Sequence, residues 1–453
     1  MLGKRSLSIY LGTGLAALVA ALPFSIKITS ILSILLLLLW VLEADWQKKW
    51  ETIKTERWVQ LFVGFYMLHV LGLLYTQNLG DGLFDLEKKL SLVLFPLILG
   101  TSPAVRESQS LRDKVHSWFI FFCLLALLYC LGHGVYRFIA GIPPSFSVYG
   151  GFEATQQFLD TNKGVSALWN YITYSELLSP LQLHPTYSSL FILLVIVILL
   201  EQKPQVGYFE RKQLGRLLLL LFFTLTIFLI ASRIAVAILI LLLPIKLFMR
   251  MRGRVSWKKL AMASSVCILL LALVINFVPV VKHRFINDFQ FIGQTYDSQN
   301  PGTGMMMRLT FWKTAAEVIM ENPVIGVGTG DVQDAMAEIY RANGVSELAG
   351  YNPHNQYLHT AAMLGLIGSA YLLAMLLLPL ILAWKRRDNV YLFFLLIVGI
   401  TFFTESVLQS NKGIVFYALF NSLYLFNFPP YSRAQQEKVD RTLAEEASAR
   451  QER

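Results

Sequence analysis

Long apolar stretches alternate with short polar segments from the N-terminus to about residue 428. Stretches such as Ile34–Trp40 are apolar throughout, which is typical of helices in lipid and not of the alternating strands of a membrane barrel. A helix needs about 20 residues of this kind to cross a bilayer. Hydropathy predicts about twelve spans, at residues 7–24, 28–44, 58–76, 86–100, 116–140, 184–201, 214–231, 233–250, 259–281, 356–383, 390–408 and 412–428.

The predicted fold is therefore an all-α, polytopic integral membrane protein with one long periplasmic loop between the ninth and tenth spans. Two short helices are expected in that loop, at 305–320 and 331–340, the first with Leu309, Trp312 and Ala316 on its apolar side. The predicted organisation is spans one to nine in 1–281 with a periplasmic loop at about 141–183, the large periplasmic loop in 282–355, spans ten to twelve in 356–428 and a cytoplasmic polar tail in 429–453.

Composition excludes the main alternatives to a membrane protein. Apolar residues make up 55% of the chain and charged residues 15%, with a mean hydropathy of +0.54. Soluble domains carry about 25% charged residues, so this chain could not cover a water-facing surface. Low hydrophobicity and high charge would be needed for disorder, and both are missing. A soluble enzyme and a disordered protein are excluded.

The distribution of basic residues predicts the orientation of the chain in the membrane. The net charge is +10, which on a soluble protein could indicate nucleic-acid binding. Here the basic residues cluster in every second short segment, which predicts an even number of spans with both termini in the cytoplasm. Nucleic acid is therefore not an expected partner, whereas membrane lipids are. The three cysteines lie in apolar stretches and are expected to be small core residues.

Two arginines are candidates for chemistry on the predicted outer face. Arg233 lies at the turn between the seventh and eighth spans, where an ionisable residue is costly enough to suggest function. Arg308 opens the first loop helix, and its planar fork of donors suits phosphate oxygens. The alternatives are a membrane-anchoring role for Arg233 and a surface salt bridge from Arg308 to Glu317 or Glu321.

The segment 352–359 leads into the tenth span and carries two histidines. His354 can act as a base, a hydrogen-bond donor or a pyrophosphate contact near neutral pH. Asn355 is a candidate N-cap of the following helix, and both roles can hold together. His359 lies five residues after His354, which is not the i, i+4 spacing of a helical zinc site. No metal site is predicted.

Three further polar residues are candidates for substrate binding near the same face. His184 precedes Pro185 at the start of the sixth span, where it is either structural or lines the same cavity. Lys88 and Lys89 precede the short fourth span, where they either attract an anionic head group or mark the membrane interface.

The glycine-rich segment Gly326–Gly330 is superficially similar to a phosphate loop. It lacks the Lys-Ser/Thr of a P-loop and follows no strand. A tight turn after Pro323 is the favoured interpretation, with Asp331 as the cap of the next helix. Phosphate contact through its backbone amides is the alternative.

Together these motifs resemble the O-antigen ligase family of bacterial membrane proteins. The resemblance covers the span layout and four ordered stretches: His184-Pro-Thr-Tyr187; Ser232-Arg233; Arg308 to Trp312 with 322–330; and His354-Asn355 to Leu358 with Gly365 and Gly368. It implies a glycosyltransferase that works on the periplasmic face of the inner membrane. The implied donor is a glycan on undecaprenyl pyrophosphate, and the implied acceptor of a ligase is a sugar of the lipid A core.

The resemblance and the residue chemistry lead to the same site assignment. Arg233, Arg308 and His354 are the predicted catalytic residues, since two guanidinium groups suit a departing pyrophosphate. His184, Asn355, His359, Lys88 and Lys89 are predicted to bind substrate. Neither a metal nor a cofactor is expected, and the displacement is expected to invert the anomeric centre.

Three other functions remain open at this point. An O-antigen polymerase and a protein-glycan ligase share the same chemistry and differ in the acceptor. A transporter or flippase would also have many spans, but inverted repeats and broken helices at the midplane are expected there. The sequence has no internal repeat, and its polar candidates lie on one face, so a transferase is favoured.

Overall fold

The chain is helical in the computed structural model, which describes residues 4–108, 110–144, 164–202, 209–251, 257–286 and 304–428. No strand occurs within these ranges. The predicted polar tail at 429–453 and parts of both predicted long loops lie outside the described residues. The all-α prediction is confirmed for the described part of the chain.

Helices α1 to α11 make up the N-terminal half of the described chain. Their bounds are α1 Lys4–Ala21, α2 Ile26–Leu42, α3 Trp46–Thr55, α4 Arg57–Gly72, α5 Leu79–Lys89, α6 Ser91–Thr101, α7 Pro103–Arg106, α8 Leu111–Ile139, α9 Tyr174–Leu178, α10 Pro185–Glu201 and α11 Phe209–Ile230. The predicted fourth span is divided at Leu90 into α5 and α6, so it is not one continuous helix.

The C-terminal half contains the longest helix of the described residues and the two loop helices. The bounds are α12 Arg233–Met251, α13 Trp257–Phe277, α14 Pro279–Phe285, α15 Gly304–Glu321, α16 Val332–Ala342, α17 Gln356–Lys385, α18 Asn389–Thr401 and α19 Asn411–Phe426. Helix α18 ends at Thr401, and residues 402–410 form turns that include a short 3-10 helix at Val407–Gln409.

Each predicted span contains a helix, but not every helix is long enough to establish a crossing. By length and hydropathy three described helices can cross a membrane, namely Leu111–Ile139, Gln213–Ile230 and Gln356–Lys385. The number rises to five if two sharply bent pairs, α2 with α3 and 174–181 with α10, each form one span. A membrane protein is supported, and the count of twelve spans stays a prediction.

Helix α10 lies at the centre of the core. Every described side chain from Pro185 to Leu200 is buried, which is expected for a helix that is apolar on all sides. Aromatic rings of α18 and α19 pack against it, with the Phe191 ring centroid 5.0 Å from that of Phe416. This rigid centre fixes the start of α10, where His184 lies.

Helix α17 bends at Gly365 and receives the glycine-rich turn. Gly365 has a φ of +62°, and a Cβ there would collide with the carbonyl of Val324. Only glycine tolerates both the backbone conformation and the close approach. The turn is also bound to the helix by the Leu366 amide, which donates to the Pro323 carbonyl at 2.9 Å.

Helices α15 and α16 cover the N-terminal half of α17. Their shared core contains Phe311, Ala315, Val318, Met336, Tyr340, Ala362, Met363 and Leu364. The helices predicted at 305–320 and 331–340 are confirmed, but the apolar side predicted for α15 is only partly correct: Trp312 packs against this core, and other predicted positions do not. Leu309 is exposed, whereas Phe311 and Ala315 are buried, because the packing partners α16 and α17 select a face offset from the predicted one.

Candidate functional site

His354 is held in an unusual backbone conformation just before α17. Its φ is +45°, a left-handed value that costs a non-glycine residue about 1 kcal/mol or more. The conformation is fixed by the Asn352 side chain, which accepts from the His354 amide at 2.8 Å. Strain of this kind concentrates at functional sites, and here it aims an imidazole out of the helix start.

The ring of His354 is oriented by a carboxylate that the sequence interpretation missed. His354 Nδ1 lies 3.2 Å from Glu405 Oε1, and Glu405 is buried with 5% of its surface exposed. A carboxylate accepts hydrogen bonds, so it fixes the proton on Nδ1. The Nε2 atom is then left as a lone pair, and the His354 side chain is 25% exposed. This pairing prepares His354 to accept a proton.

The second oxygen of Glu405 has no hydrogen-bond partner among the described residues. A buried carboxylate oxygen without a partner is costly, and such groups call for a functional explanation. Arg308 is near enough to contribute to the electrostatics of Glu405. The unpartnered oxygen therefore gives the site an acceptor that a substrate hydroxyl or a guanidinium can use.

Phe311 connects Arg308 to the histidine. Arg308 and Phe311 lie three residues apart on α15, so they share one side of the helix. The Phe311 ring stacks on His354 with a centroid distance of 5.7 Å and on Tyr351 with 5.2 Å. Within the described ranges no carboxylate lies at ion-pair distance from Arg308, which contradicts the predicted alternative of a salt bridge to Glu317 or Glu321.

A second arginine that the sequence interpretation missed, Arg284, joins the cluster from α14. Its Nε donates to the Ala231 carbonyl at 3.1 Å, and its guanidinium stacks 3.7 Å from the ring centroid of Tyr174. Arg284 also interacts electrostatically with Arg308 and His184. Ala231 is two residues before Arg233, so Arg284 ties the Arg233 turn to the cluster.

Arg233 opens α12 directly after a buried turn. Ala231 has a φ of +52° and is fully buried, and Ser232 is also buried. The turn packs against Val278 and Val281, which explains how an arginine is positioned between two apolar helices. Arg233 itself is half-buried.

His184 has the structural role that the sequence left open, and it lies close to the histidine cluster. Its Nδ1 accepts from the Thr186 amide at 3.3 Å, so it caps α10. It also interacts electrostatically with Glu405, His354 and Arg308. The cap uses Nδ1 and leaves Nε2 for another contact.

Asn355 is the cap that the sequence predicted. Its Oδ1 accepts from the amides of Tyr357 and Leu358 at 3.0 and 3.1 Å. Its own amide donates to Ser406 Oγ at 3.2 Å. The start of α17 is therefore fastened to the segment that carries Glu405, which fixes the distance between the histidine and its carboxylate.

The electrostatics of the cluster keep Glu405 ionised. Burial raises the pKa of the Glu405 carboxyl, but the hydrogen bond from His354 and the positive charge around the carboxylate, Arg308 included, outweigh it and hold the pKa below its ordinary value. Burial also lowers the pKa of Arg308, although a guanidinium stays protonated. The cluster thus contains one anion among several cationic groups, an excess of positive charge that suits an anionic ligand.

Lys88, Lys89 and His359 form a separate polar cluster. Lys89 is buried and paired with Asp85, and Lys88 Nζ lies 3.4 Å from the same carboxylate. The Gln409 amide, oriented to satisfy its neighbours, donates to Asp85 and accepts from Lys89 Nζ at 3.0 Å and from His359 Nε2 at 2.9 Å. The single carboxylate of this cluster is thus shared by two ammonium groups and the Gln409 amide.

A cavity of about 280 Å³ lies beside the cluster of Lys88 and His359 and reaches Asn352. It is lined by Asp81, Phe84, Asp85, Lys88, Thr329, Gly330, Val332, Gln333, Asn352, His359, Met363 and Gln409. Asn352 is the residue that fixes the backbone of His354. The cavity therefore reaches from the lysine cluster to the segment that carries the histidine.

The glycine-rich turn takes no part in anion binding through its backbone. The amides of Val327 and Gly328 donate to the carbonyls of Ala362 and Met363, and the Gly330 amide donates to Thr76. The phosphate-contact alternative is therefore wrong, since these donors are already used. Asp331 is the N-cap residue of α16, as predicted, but its carboxylate makes no capping hydrogen bond and accepts from the amides of Gln77 and Asn78 instead.

No group of three or more His, Cys, Asp or Glu side chains in the described ranges is arranged to hold a metal ion. We therefore assign no residue as a metal ligand. The available chemistry is that of a carboxylate-oriented imidazole beside guanidinium groups.

Comparison with known families gives a match over the central region of the chain. The model of the family described as O-antigen ligase matches residues 217–373. This match confirms the resemblance to the O-antigen ligase family. It supports a ligase- or polymerase-like function in general. No curated protein matches the chain.

The O-antigen ligase match includes part of the site only. Arg233, Arg308 and His354 lie within it. Glu405, which orients His354, follows the matched region, and His184 precedes it. In the structure, His354 of the matched region therefore lies beside two residues from outside it, Glu405 and His184.

Proposed function

We propose that this protein is an O-antigen ligase of the bacterial inner membrane. It would transfer a glycan from undecaprenyl pyrophosphate to a sugar of the lipid A core on the periplasmic face. The observation that carries this proposal is the pairing of His354 with the buried Glu405 beside Arg308. A base and a cationic site for a leaving pyrophosphate are the two groups that this transfer requires.

His354 is proposed as the general base. An acceptor hydroxyl attacks the anomeric carbon of the donor, and its proton passes to His354 Nε2. Glu405 holds the ring through Nδ1 and stabilises the imidazolium that forms. The new glycosidic bond forms as the bond between the anomeric carbon and the pyrophosphate oxygen breaks. A single displacement of this kind inverts the anomeric centre.

The arginines are proposed to stabilise the leaving group. The pyrophosphate departs with the bonding electron pair, so negative charge increases on its oxygens. Arg308, Arg284 and Arg233 would supply compensating charge, and a guanidinium binds phosphate oxygens in bidentate fashion. Because these cations are part of the protein, we propose a mechanism that needs neither a metal nor a cofactor.

The remaining candidates are proposed to hold the sugars. The cavity offers carboxylate, amide and lysine groups with Phe84 on its wall, a mixture suited to hydroxyl-rich ligands. Lys88 and His359 line it directly, and Lys89 supports it through Asp85 and Gln409. His184 through Nε2 and Asn355 through its amide nitrogen are the proposed contacts nearer the histidine.

A complemented deletion strain tests this function. The host gene is deleted, and the envelope glycolipid is resolved by gel after complementation with wild type, His354→Ala, Arg308→Ala or the control Lys313→Ala. Lys313 is an exposed cation on the same helix as Arg308. We expect the deletion to leave complete lipid A core without polymer while carrier-linked glycan accumulates, and only wild type and Lys313→Ala to restore the polymer.

Two outcomes would overturn the ligase assignment. Single repeat units on the core would indicate a polymerase, which the O-antigen ligase match also allows. An unchanged glycolipid profile would point to a protein-glycan ligase or a transporter instead. Membrane levels of each variant, measured by immunoblot, separate lost chemistry from lost protein.

A further inference from the structure

Helices α4 and α17 enclose a groove at the end of the molecule opposite His354. They touch midway, where the Phe65 ring stacks on Tyr371 with a centroid distance of 6.2 Å and Gly64 leaves space for the tyrosine hydroxyl. Toward the start of α4 and the end of α17 a groove of about 490 Å³ opens between them. This volume lies within the range of about 300–1,000 Å³ that holds small ligands.

The groove has an apolar floor that follows one side of each helix. From α17 it receives Leu378, Ile381 and Leu382, whose spacing places them on one face with Lys385. From α4 it receives Trp58 and Leu61. A continuous apolar channel between two helices at the membrane surface suits a hydrocarbon chain.

Two cations lie at the mouth of the groove and form no ion pair with a described carboxylate. Arg57 begins α4 and Lys385 ends α17, and both line the groove. In the part of the chain that the structure describes, neither has an ion-pair partner. The adjacent carboxylate of Glu56 is bound to Arg106 at 3.1 Å. The mouth therefore presents two positive charges that a single anionic group can neutralise.

Exposed tryptophans place the mouth at the membrane surface. Trp50 is 58% exposed and Trp384 is 66% exposed, and both lie within a few residues of the groove's cations. Tryptophan concentrates at the membrane–water interface. Helix α17 extends from beside His354 to Lys385, roughly 40 Å at 1.5 Å per residue. The groove and the candidate site therefore lie at opposite ends of α17.

We propose that this groove binds an anionic glycerophospholipid. Its phosphate would lie between Arg57 and Lys385, and one acyl chain would lie along Leu61, Leu378 and Ile381. A zwitterionic lipid fits less well, because its ammonium group would lie beside the two cations. The proposal is independent of the transferase function, since it uses none of the residues assigned to it.

The test uses the full chain purified in detergent and stripped of lipid. Its thermal midpoint is measured while palmitoyl-oleoyl phosphatidylglycerol, the matching phosphatidylcholine or inorganic phosphate is added. The double variant Arg57→Ala/Lys385→Ala is compared with Lys27→Ala/Lys114→Ala, which removes two exposed cations outside the groove. We expect phosphatidylglycerol to stabilise wild type and the control, and to bind the groove variant roughly tenfold or more weakly.

A second pair of variants guards against a folding defect. Arg57→Lys/Lys385→Arg keeps both charges and should retain the response to phosphatidylglycerol. Leu378→Trp keeps the charges but fills the groove, and should weaken the response. Equal stabilisation of wild type and the Arg57→Ala/Lys385→Ala variant would overturn the proposal. So would an equal effect of inorganic phosphate or phosphatidylcholine on wild type.

Discussion

The two polar clusters of this protein differ in how their charges are balanced. In the cluster of Lys88, Lys89 and Asp85, two ammonium groups share one carboxylate that also binds Gln409. In the cluster of His354 and Glu405, the carboxylate binds the ring through one oxygen and leaves the other without a partner. We call the first arrangement the closed cluster, because its buried Asp85–Lys89 pair is committed to internal partners, whereas Glu405 keeps one oxygen that a ligand can use.

This difference indicates which of the two clusters carries out chemistry and which one supports the structure around the cavity. A buried ion pair that is fully hydrogen-bonded is weak support for catalysis, because its groups are committed to each other. A base with a free lone pair beside Arg308, which has no ion-pair partner among the described residues, has groups to offer a substrate. We therefore expect substitutions in the cluster of Lys88, Lys89 and Asp85 to change mainly stability, and substitutions in the cluster of His354 and Glu405 to change mainly activity.

The largest loss of activity is expected for His354→Ala. Removal of a general base costs about 10²–10⁴-fold in rate, because the acceptor hydroxyl then loses its proton to water. Transfer is measured in membranes supplied with carrier-linked glycan and core acceptor, and His133→Ala serves as a control at another histidine. Activity of His354→Ala near the wild-type level would contradict the role of His354 as general base. It would also remove the proposed difference between the two clusters.

Arg308→Ala is expected to follow, with a loss of roughly 10²–10³-fold, the scale of one lost charge-stabilising group. Arg308→Lys keeps the charge but not the planar fork, so we expect only partial recovery. Equal activity of the lysine and alanine variants would show that charge at this position is irrelevant to transfer. Lys313→Ala on the same helix should retain full activity.

Glu405→Gln should reduce activity less, by roughly 10- to 100-fold, because the imidazole remains while its orienting carboxylate is lost. Its stability effect should depend on pH. The folded-state pKa lies below the ordinary value of 4.5, so the carboxylate stabilises the fold above pH 4.5 and this contribution is lost as the pH falls through the lowered pKa. The difference in thermal midpoint between wild type and Glu405→Gln should therefore be constant near neutral pH and shrink in acid. A difference independent of pH would contradict an ionised Glu405.

The sequence predicted those site residues that belong to one short motif, and it did not predict those that are brought together by the fold. His354 and its cap Asn355 are adjacent, so their roles follow from a local pattern. Glu405 is 51 residues away in sequence and lies in a stretch hydrophobic enough to be predicted as the end of a span at 390–408. Averaged hydropathy hides a single carboxylate, and only the ending of α18 at Thr401 reveals the turn that carries it.

The fold shows the same division between local and tertiary information. The helical periods of α15 and α16 predicted their existence, but the buried face of α15 depends on contacts with α16 and α17. Arg284 escaped attention because the ninth span was predicted to end at 281. The spacing of Val278, Val281 and Phe285 continues a helical period past that point, and this was the available signal.

The smallest effect on activity is expected in the closed cluster, where the comparison can be sharpened. Asp85→Asn leaves two ammonium groups without their carboxylate, and breaking a buried pair from one side costs about 3–5 kcal/mol of stability. The double variant Asp85→Asn/Lys89→Met removes both buried charges and should recover much of that loss, because Lys89 is then no longer uncompensated. Thermal midpoints of both variants measure this, with Asp113→Asn as an exposed control. If instead the double variant were folded and stable yet inactive, Asp85 and Lys89 would contribute to transfer directly, and the closed cluster would have to be counted as part of the site.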